Sequence, residues 1–424
     1  MMFIKNRSAL SATKLRRDVL EVAETGLQAI SPRNLLPYKI KLNGNILLIN
    51  DTKIDLNKYR KIFIVGAGKA ALGSAEYLEK LLKDKITGGA VVDTRAGKLK
   101  RIKSFLGTHP LPSARNLKAT NEIIKVIKSA RKGDLVLVIV SGGGSALLFK
   151  PEKESVARSR EIFHKLIDSG ADIEEMNTVR KHLSDVHGGD LVKMAGGADV
   201  IGLIFSDVPF NNLSLVASGP TFLDKTTKEN AEKIIKKYGI GKVGLSETPK
   251  DKKLFSKVRN ILVLSNTDAL SAMKAKAEEL GYRAIVADGF VRGEARQVGR
   301  ELLRGLKKDG EMILYGGETV VCVTNKSGKG GRNMDVVLGA VRSLKSNQLI
   351  LSLASDGVDN ITESAGALAD KLTMKKIKNL SLDPDEFLEN NNSYVFWKKI
   401  GDFIKSEKTG SNVSDLMLVA QAKK

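Results

Sequence analysis

The sequence predicts an α/β protein of two domains, an N-terminal one on a parallel sheet and a smaller C-terminal α/β one, and three observations carry that expectation. Short β-branched runs alternate with longer amphipathic stretches, the order that crossover helices impose on parallel strands. Most of those runs end in Gly, Ser or Asp just before a helix-like stretch. The chain has 424 residues, and at roughly 100–200 residues per domain that is room for two or three cores.

The strands follow in order. KIFIV (Lys61 to Val65) leads into a glycine turn, and GAVVD (Gly89 to Asp93) closes on an acid. LVLVIV (Leu135 to Val140) is the longest apolar run and ends in SGGGS. VIGLIF (Val200 to Phe205) precedes SDVP, and ILVLS (Ile261 to Ser265) and RAIV (Arg283 to Val286) flank a helix-like stretch. MILYGG (Met312 to Gly317) and LILSLAS (Leu349 to Ser355) end in GGE and SDG. The polar, basic run from Lys242 to Lys257 is the best boundary, giving domains of residues 1–250 and 251–424, with the last segment free to pack back on the first domain.

Composition narrows the class. With 42% apolar and 28% charged residues the chain reads as an ordinary globular protein rather than a disordered or fibrous one. The opening MMFIKNRSALSATKLRRDVL lacks the apolar core of a secretory signal, and Leu135 to Val140 is too short to cross a bilayer, so no membrane is expected. A single cysteine, Cys322, excludes an intrachain disulfide framework, fits a reducing cytoplasm, and reads as a small buried hydrophobe. Lys and Arg exceed Asp and Glu by 70 to 48, a net charge of +22. The basic stretches KDKKLFSKVRN and KLTMKKIKN lack aromatic interleaving, so they read as solvated faces and a field for anionic substrates, with no nucleic acid partner.

At least four strand-end turns carry chemistry. In IFIVGAGKAALG, Gly66, Gly68 and Ala71 match the dinucleotide fingerprint G-x-G-x-x-G/A, and Asp93 stands where a ribose-binding acid would. Lys69 beside that turn is equally suited to neutralising phosphoryl oxygens. In VSGGGSALL, Ser141, Gly142, Gly143, Gly144 and Ser145 read as an anion nest; Leu147 stands where a hydrolase elbow requires glycine. Arg180 and Lys181 on the next helix are candidates for a substrate carboxylate. Asp207, after VIGLIF, faces the crevice that strand ends form, beside a turn of Ser218, Gly219 and Thr221. His182 and His187, five apart, do not make a helical zinc pair.

The segment ILYGGETVVCVTNKSGKGGRNMD (Ile313 to Asp335) combines Glu318 with a loop of Gly328, Lys329, Gly330 and Gly331 that delivers Arg332 and Asn333 to a helix start. A carboxylate, cations and bare amides together suit a polyphosphate with a metal ion. Ser355, Asp356, Gly357 and Asp359 are either oxygen ligands for Mg²⁺ or an Asx turn. A single dinucleotide needs one such turn, and several with oriented cations and acids are what phosphoryl transfer demands.

VGAGKAA, THPLPSARNLKAT, VSGGGSALL, NTVRKHLS with HGGDL, SDVP with ASGPT, GGET with GKGGRN, and ASDGVD with AGA occur in an order that resembles the glycerate 2-kinases containing a MOFRL domain. The resemblance extends from the early helices to TGSNVSDL near the end. It implies a Rossmann-like first domain, a MOFRL-like second one and an active site in the cleft between them. It also implies phosphate transfer from ATP, with Mg²⁺ or another divalent metal, to the 2-hydroxyl of D-glycerate, giving 2-phosphoglycerate. On that resemblance Lys69, Arg332 and Asp207 are the catalytic residues and Glu318 and Asp356 the metal ligands. The nucleotide contacts are Gly66, Gly68, Ser141 to Ser145, Gly328 to Gly331 and Asn333. The partners are D-glycerate and ATP, and a homodimer is compatible. The chain departs from the family pattern at Phe210, Asn211 and Asn212 after SDVP, at Met334 and Asp335, at Asn360, and in a shortened stretch before Asn412 and Asp415. Two other readings stay open: an NAD(P)-dependent hydroxypyruvate or tartronate semialdehyde reductase using the Gly66 turn, and a non-catalytic nucleotide- or sugar-phosphate-binding protein.

Overall fold

The computed structural model describes residues 2–208 and 212–423, so Phe210 and Asn211 lie outside the described residues. The chain divides into two compact units: a central one, Pro32–Leu264, and a terminal one made of Met1–Ser31 with Ser265–Lys424.

The central unit opens with a three-stranded antiparallel sheet, β1 (Ile40–Asn43), β2 (Ile46–Ile49) and β3 (Thr52–Asp55). Its main sheet contains β4 (Ile62–Ala67), β5 (Gly88–Asp93), β6 (Ile102–Leu106), β7 (Leu135–Ser141), β8 (Asp199–Phe205) and β9 (Val258–Leu264). These run in the order β6-β5-β4-β7-β8-β9, every pairing parallel. All of β4 and β7 is buried, as befits central parallel strands covered on both faces, which read as unbroken apolar runs. Phe63, Val65, Val136, Val138 and Val140 pack with Ile123 and Ile127 of the helix Ala114–Ser129. That helix starts where Ser113 accepts the Arg115 N–H. Successive strands are laid outward from β4 in one direction and from β7 in the other. The carboxyl ends of β4 and β7 therefore flank the point where such sheets hold ligands.

The terminal unit holds the helix Lys14–Ile30 against Asn266–Glu279, and Gly26 is required there, since a Cβ would lie 2.7 Å from Met273 Cγ. Buried Arg16 fixes the early helix further: its guanidinium donates to Asp370 at 2.6 and 2.9 Å and to Asp402 at 3.0 Å. The sheet of this unit contains β10 (Arg283–Val286), β11 (Glu311–Gly317), β12 (Gln348–Ala354), β13 (Gly366–Ala369), β14 (Phe403–Ile404) and β15 (Asp415–Gln421), in the order β10-β11-β15-β12-β13-β14. β10 and β11 are parallel, whereas β15 enters antiparallel to both β11 and β12.

These units correct the expected boundary at 250/251. The strand expected in the second domain is β9, which pairs with β8 and completes the first sheet. Residues 1–31, expected in the first domain, join the terminal unit through Arg16 and the helix contact at Gly26. The last segment forms β15, the strand inserted between β11 and β12 of the terminal sheet. Cys322, expected inside, is exposed, because VVCV runs on past β11 with Val320 and Val323 also exposed. Among the described residues no helix is long and apolar enough to cross a membrane.

Trp397 is fully buried and its indole N–H donates to the Met334 carbonyl at 3.0 Å, bracing the helix Arg332–Ala340. Trp397→Phe removes that bond and leaves a void. A loss of about 1–3 kcal/mol is expected in urea titration, and an unchanged midpoint would show that the brace is inert.

Candidate active site

The turn after β4 is built differently from a pyrophosphate cradle. Gly66 is inside the strand, where a Cβ would stand 2.6 Å from Ile139 Cβ of β7, and Gly68, at φ +122°, would strike Ser141 Oγ at 2.1 Å. Its amides are engaged: Gly68 N–H donates to the Val92 carbonyl, Lys69 N–H to Gly142, Ala70 N–H to Ser141 Oγ and Ala71 N–H to Gly68, at 2.9–3.1 Å. Asp93 is buried, accepts the Leu72 N–H at 3.0 Å on one oxygen and the Arg95 N–H at 3.3 Å on the other, and so caps the helix Ala71–Leu82. Burial, partly offset by these bonds, pushes its carboxyl above the usual range. A dinucleotide fold needs that helix terminus open to phosphate and that acid open to ribose. Neither is open here. Gly66, Gly68 and Ser141, expected to contact nucleotide, instead brace β4 against β7.

The donors that remain are the four residues after β7. No hydrogen bond of the described residues uses the N–H of Gly142, Gly143, Gly144 or Ser145, although Gly142 and Gly144 are buried. Gly143 adopts φ +79°, and a Cβ there would meet the His109 ring at 3.0 Å and Lys69 Cγ at 3.5 Å. Successive amides without an acceptor, beside a lysine and an imidazole, are the donors that an anion-binding nest uses. His109 was hidden in the sequence because IKSFL, the strand β6 that ends before it, has no β-branched run to announce it. Asp207, partly buried, follows the adjacent strand β8.

The helix Ile173–Leu183 lines the same region. Ser218 donates to Asn177 Oδ1 at 2.7 Å, so the 2.9 Å contact between Ser145 and Ser218 has Ser145 as donor. Lys181 is buried and paired with Asp224 at 2.9 Å, which removes it as a substrate ligand. His182 is held by the Thr178 carbonyl and Glu247. His187 is kept neutral, pushed down to about 4 by burial and then by the Arg180 and Lys181 charges.

In the terminal unit the register gathers three loops. Asp415, at the start of β15, pairs with Gly317 of β11 on one side and Ala354 of β12 on the other. GGET, SDGVD and SNVSD therefore meet at one sheet end. Arg332 opens the next helix and donates to Asp415 through Nε at 2.6 Å and Nη2 at 3.0 Å, and to Glu318 through Nη1 at 2.5 Å. Those bonds use three of the five N–H groups a guanidinium carries, and the side chain is 32% exposed. Burial alone would lower Arg332, but the Asp415 and Glu318 charges hold it above its ordinary value. Burial raises Asp415 in turn, and Arg332 pulls it back. A bidentate pair of this geometry is ionised on both sides.

Asp359 is the cap of that helix: its carboxylate accepts the Asn333 and Met334 N–H groups at 3.1 and 2.9 Å. Complete burial, then the neighbouring Asp415, push Asp359 up to about 7. Asn333, expected to touch nucleotide, is buried between Asp359 and Ser352. The glycine loop is likewise shaped by the protein. A Cβ on Gly328 would lie 2.4 Å from the Asn390 carbonyl and one on Gly330 2.6 Å from Ser393 Oγ, while the Lys329 N–H donates to Asn392. The amides of Gly330 and Gly331 stay outside these bonds. Asn360 stands at φ +61°, a conformation glycine favours and asparagine tolerates, which accounts for its place in ASDGVDN. Asp356 accepts the Val358 N–H at 3.0 Å, an Asx turn. Among the described residues no three His, Cys, Asp or Glu side chains cluster as a metal site. Glu318, 46% exposed, shares its carboxylate between Arg332 and Ser414.

Two known families match the chain in order, the first match beginning at residue 18, within the early helix of the terminal unit. The model described as a domain of unknown function, DUF4147, matches residues 18–248, and that of the MOFRL family matches 311–415. A glycerate 2-kinase of Pyrococcus horikoshii is 32% identical over 96% of this chain and 97% of its own. A putative hydroxypyruvate reductase of Agrobacterium vitis is 35% identical over 84% of this chain and 86% of its own. The crystal structure of the glycerate kinase of Thermotoga maritima matches with a TM-score of 0.82 at 32% identity, covering 96% of this chain and 99% of that one. With both domain models matched in order and full-length likeness in sequence and fold, the chain belongs to the MOFRL-domain glycerate 2-kinase family.

Proposed function

We propose that this protein transfers a phosphoryl group from ATP to the 2-hydroxyl of D-glycerate, giving 2-phosphoglycerate and ADP. The observation that carries the reading is the switch point of the parallel sheet, where the GAGK amides are consumed internally while Lys69 and the Gly142–Ser145 amides converge. That arrangement suits a phosphate group and not a dinucleotide. Lys69 and Arg332 are the cations assigned to the transferring group, because phosphoryl transfer rests on positioning and charge stabilisation. Asp207 is assigned to accept or orient the proton of the substrate hydroxyl.

Glu318 and Asp356 offer hard carboxylate oxygens on adjoining loops, and Mg²⁺ commonly takes one or two carboxylates together with substrate phosphates and water. These residues fit an ion that arrives with ATP; when bound there, it supplies charge neutralisation for the phosphate oxygens. The reductase reading is not favoured, since Asp93 is buried as a helix cap.

Purified protein with Mg²⁺, ATP and D-glycerate is expected to release ADP only when all three are present, with ³¹P NMR placing the phosphate on the 2-hydroxyl. Oxidation of NADH by hydroxypyruvate without ADP release would reverse the assignment.

A further inference from the structure

We propose that Arg180 is the anchor for the carboxylate of the substrate, an inference that rests on the function above and names the residue that selects a hydroxy acid. The sequence offers two adjacent cations, and the structure separates them. Lys181 is neutralised by Asp224 at 2.9 Å. Arg180 is half-buried with its guanidinium carbon 5.3 Å from the centre of the Phe163 ring, and among the described residues no carboxylate pairs with it. Burial lowers its guanidinium to about 10, with no acid nearby to raise it. Arg16 and Arg332 show the opposite case, both raised above the ordinary value by the carboxylates they hold.

A cation drawn partly out of water without a counter-ion is costly unless a ligand supplies the anion. The Phe163 ring lies within cation–π distance of the guanidinium carbon, and the planar N–H fork of an arginine without a carboxylate partner is the group that a substrate carboxylate meets bidentately. The location is consistent. Asn177, one turn earlier on the same helix, is joined through Ser218 to Ser145, the last donor of the strand-end surface. Neutral His187 supplies no counter-charge. Phosphate is already served by the Gly142–Ser145 amides and Lys69, so the other anion of the reaction is the one left for Arg180.

The test uses the full chain with Arg180→Gln and Arg180→Lys. Arg180→Gln is expected to raise KM for D-glycerate at least about a hundredfold while KM for ATP stays within about threefold, with Arg180→Lys intermediate. Its melting temperature should hold or rise, because an uncompensated charge has been removed; a structural arginine would lower it. D-glycerate and lactate should raise the melting temperature of the wild type and not of Arg180→Gln, whereas ATP should protect both. An unchanged KM with retained protection overturns the proposal, as does a rise in KM for ATP alone, or a melting temperature lowered in both variants. If the wild type releases no ADP, the assigned function fails. Lactate protection that Arg180→Gln abolishes would still support the carboxylate site, and protection it retains would overturn it.

Discussion

Arg332→Ala is expected to lower kcat for glycerate phosphorylation at least about a hundredfold and also to destabilise the protein by about 3–5 kcal/mol. The first effect follows from its assignment to the transferring phosphoryl group. The second follows from Asp415, which is fully buried and held bidentately by this guanidinium. Removing the arginine leaves that carboxylate without its counter-charge. The pH dependence has a definite sign. Burial already raises Asp415, and without Arg332 it rises further, so the folded state binds the proton more tightly than the unfolded one. The variant should therefore recover stability as pH falls below neutral and lose it as pH rises. Arg332→Ala combined with Asp415→Asn separates the effects: urea titration should show most of the stability restored, while kcat stays low. If the double variant also regains turnover, Arg332 does not act on the phosphoryl group. If Arg332→Ala has a wild-type midpoint, the ion pair is not structural.

The sequence was most legible where structure is local. β4 and β7 announce themselves as unbroken apolar runs because both faces are covered, and each leads directly into its turn, so Lys69 and the SGGGS amides could be placed beforehand. What depends on distant pairing was not legible. β15 slips between β11 and β12, strands about a hundred and about sixty residues earlier, and nothing in DLMLVAQ says that it runs antiparallel to both. Arg16 meets Asp370 and Asp402 from the other end of the chain, so the early helix was assigned to the wrong unit. Glycine was ambiguous for a physical reason: it marks a close approach without saying to what. Gly66, Gly68, Gly328 and Gly330 approach the protein itself, and so does Gly144, where a Cβ would stand 2.5 Å from Ala217 Cβ, yet no hydrogen bond of the described residues uses the N–H of Gly142 or Gly144. Asp93 and Asn333 show the same ambiguity among polar residues. Each is the right type for a ligand, and each is buried as a brace.

Lys69→Ala separates charge from architecture more cleanly than the arginine does. What holds the turn together is the Lys69 main chain, whose N–H donates to Gly142 at 2.9 Å. Truncating the side chain leaves that bond in place. The melting temperature should stay within about 2 °C of wild type while kcat falls at least about a hundredfold and KM for ATP changes less, the pattern of an interaction made chiefly in the transition state. Lys69→Arg should not restore the rate. Lys69 Cγ would stand 3.5 Å from a Cβ on Gly143, a position that the His109 ring also borders at 3.0 Å, and a planar guanidinium does not reproduce a compact ammonium there. Gly143→Ala supplies the complementary test. A Cβ at φ +79° and 3.0 Å from His109 must displace the ring or the loop, so turnover should fall although no charge is removed. Full activity in Lys69→Ala would sink the assignment of the central unit's cation, whatever the terminal unit's variants show. Full activity in Gly143→Ala with Lys69→Ala inactive would mean that the charge acts without the amides of the Gly142–Ser145 turn beside it.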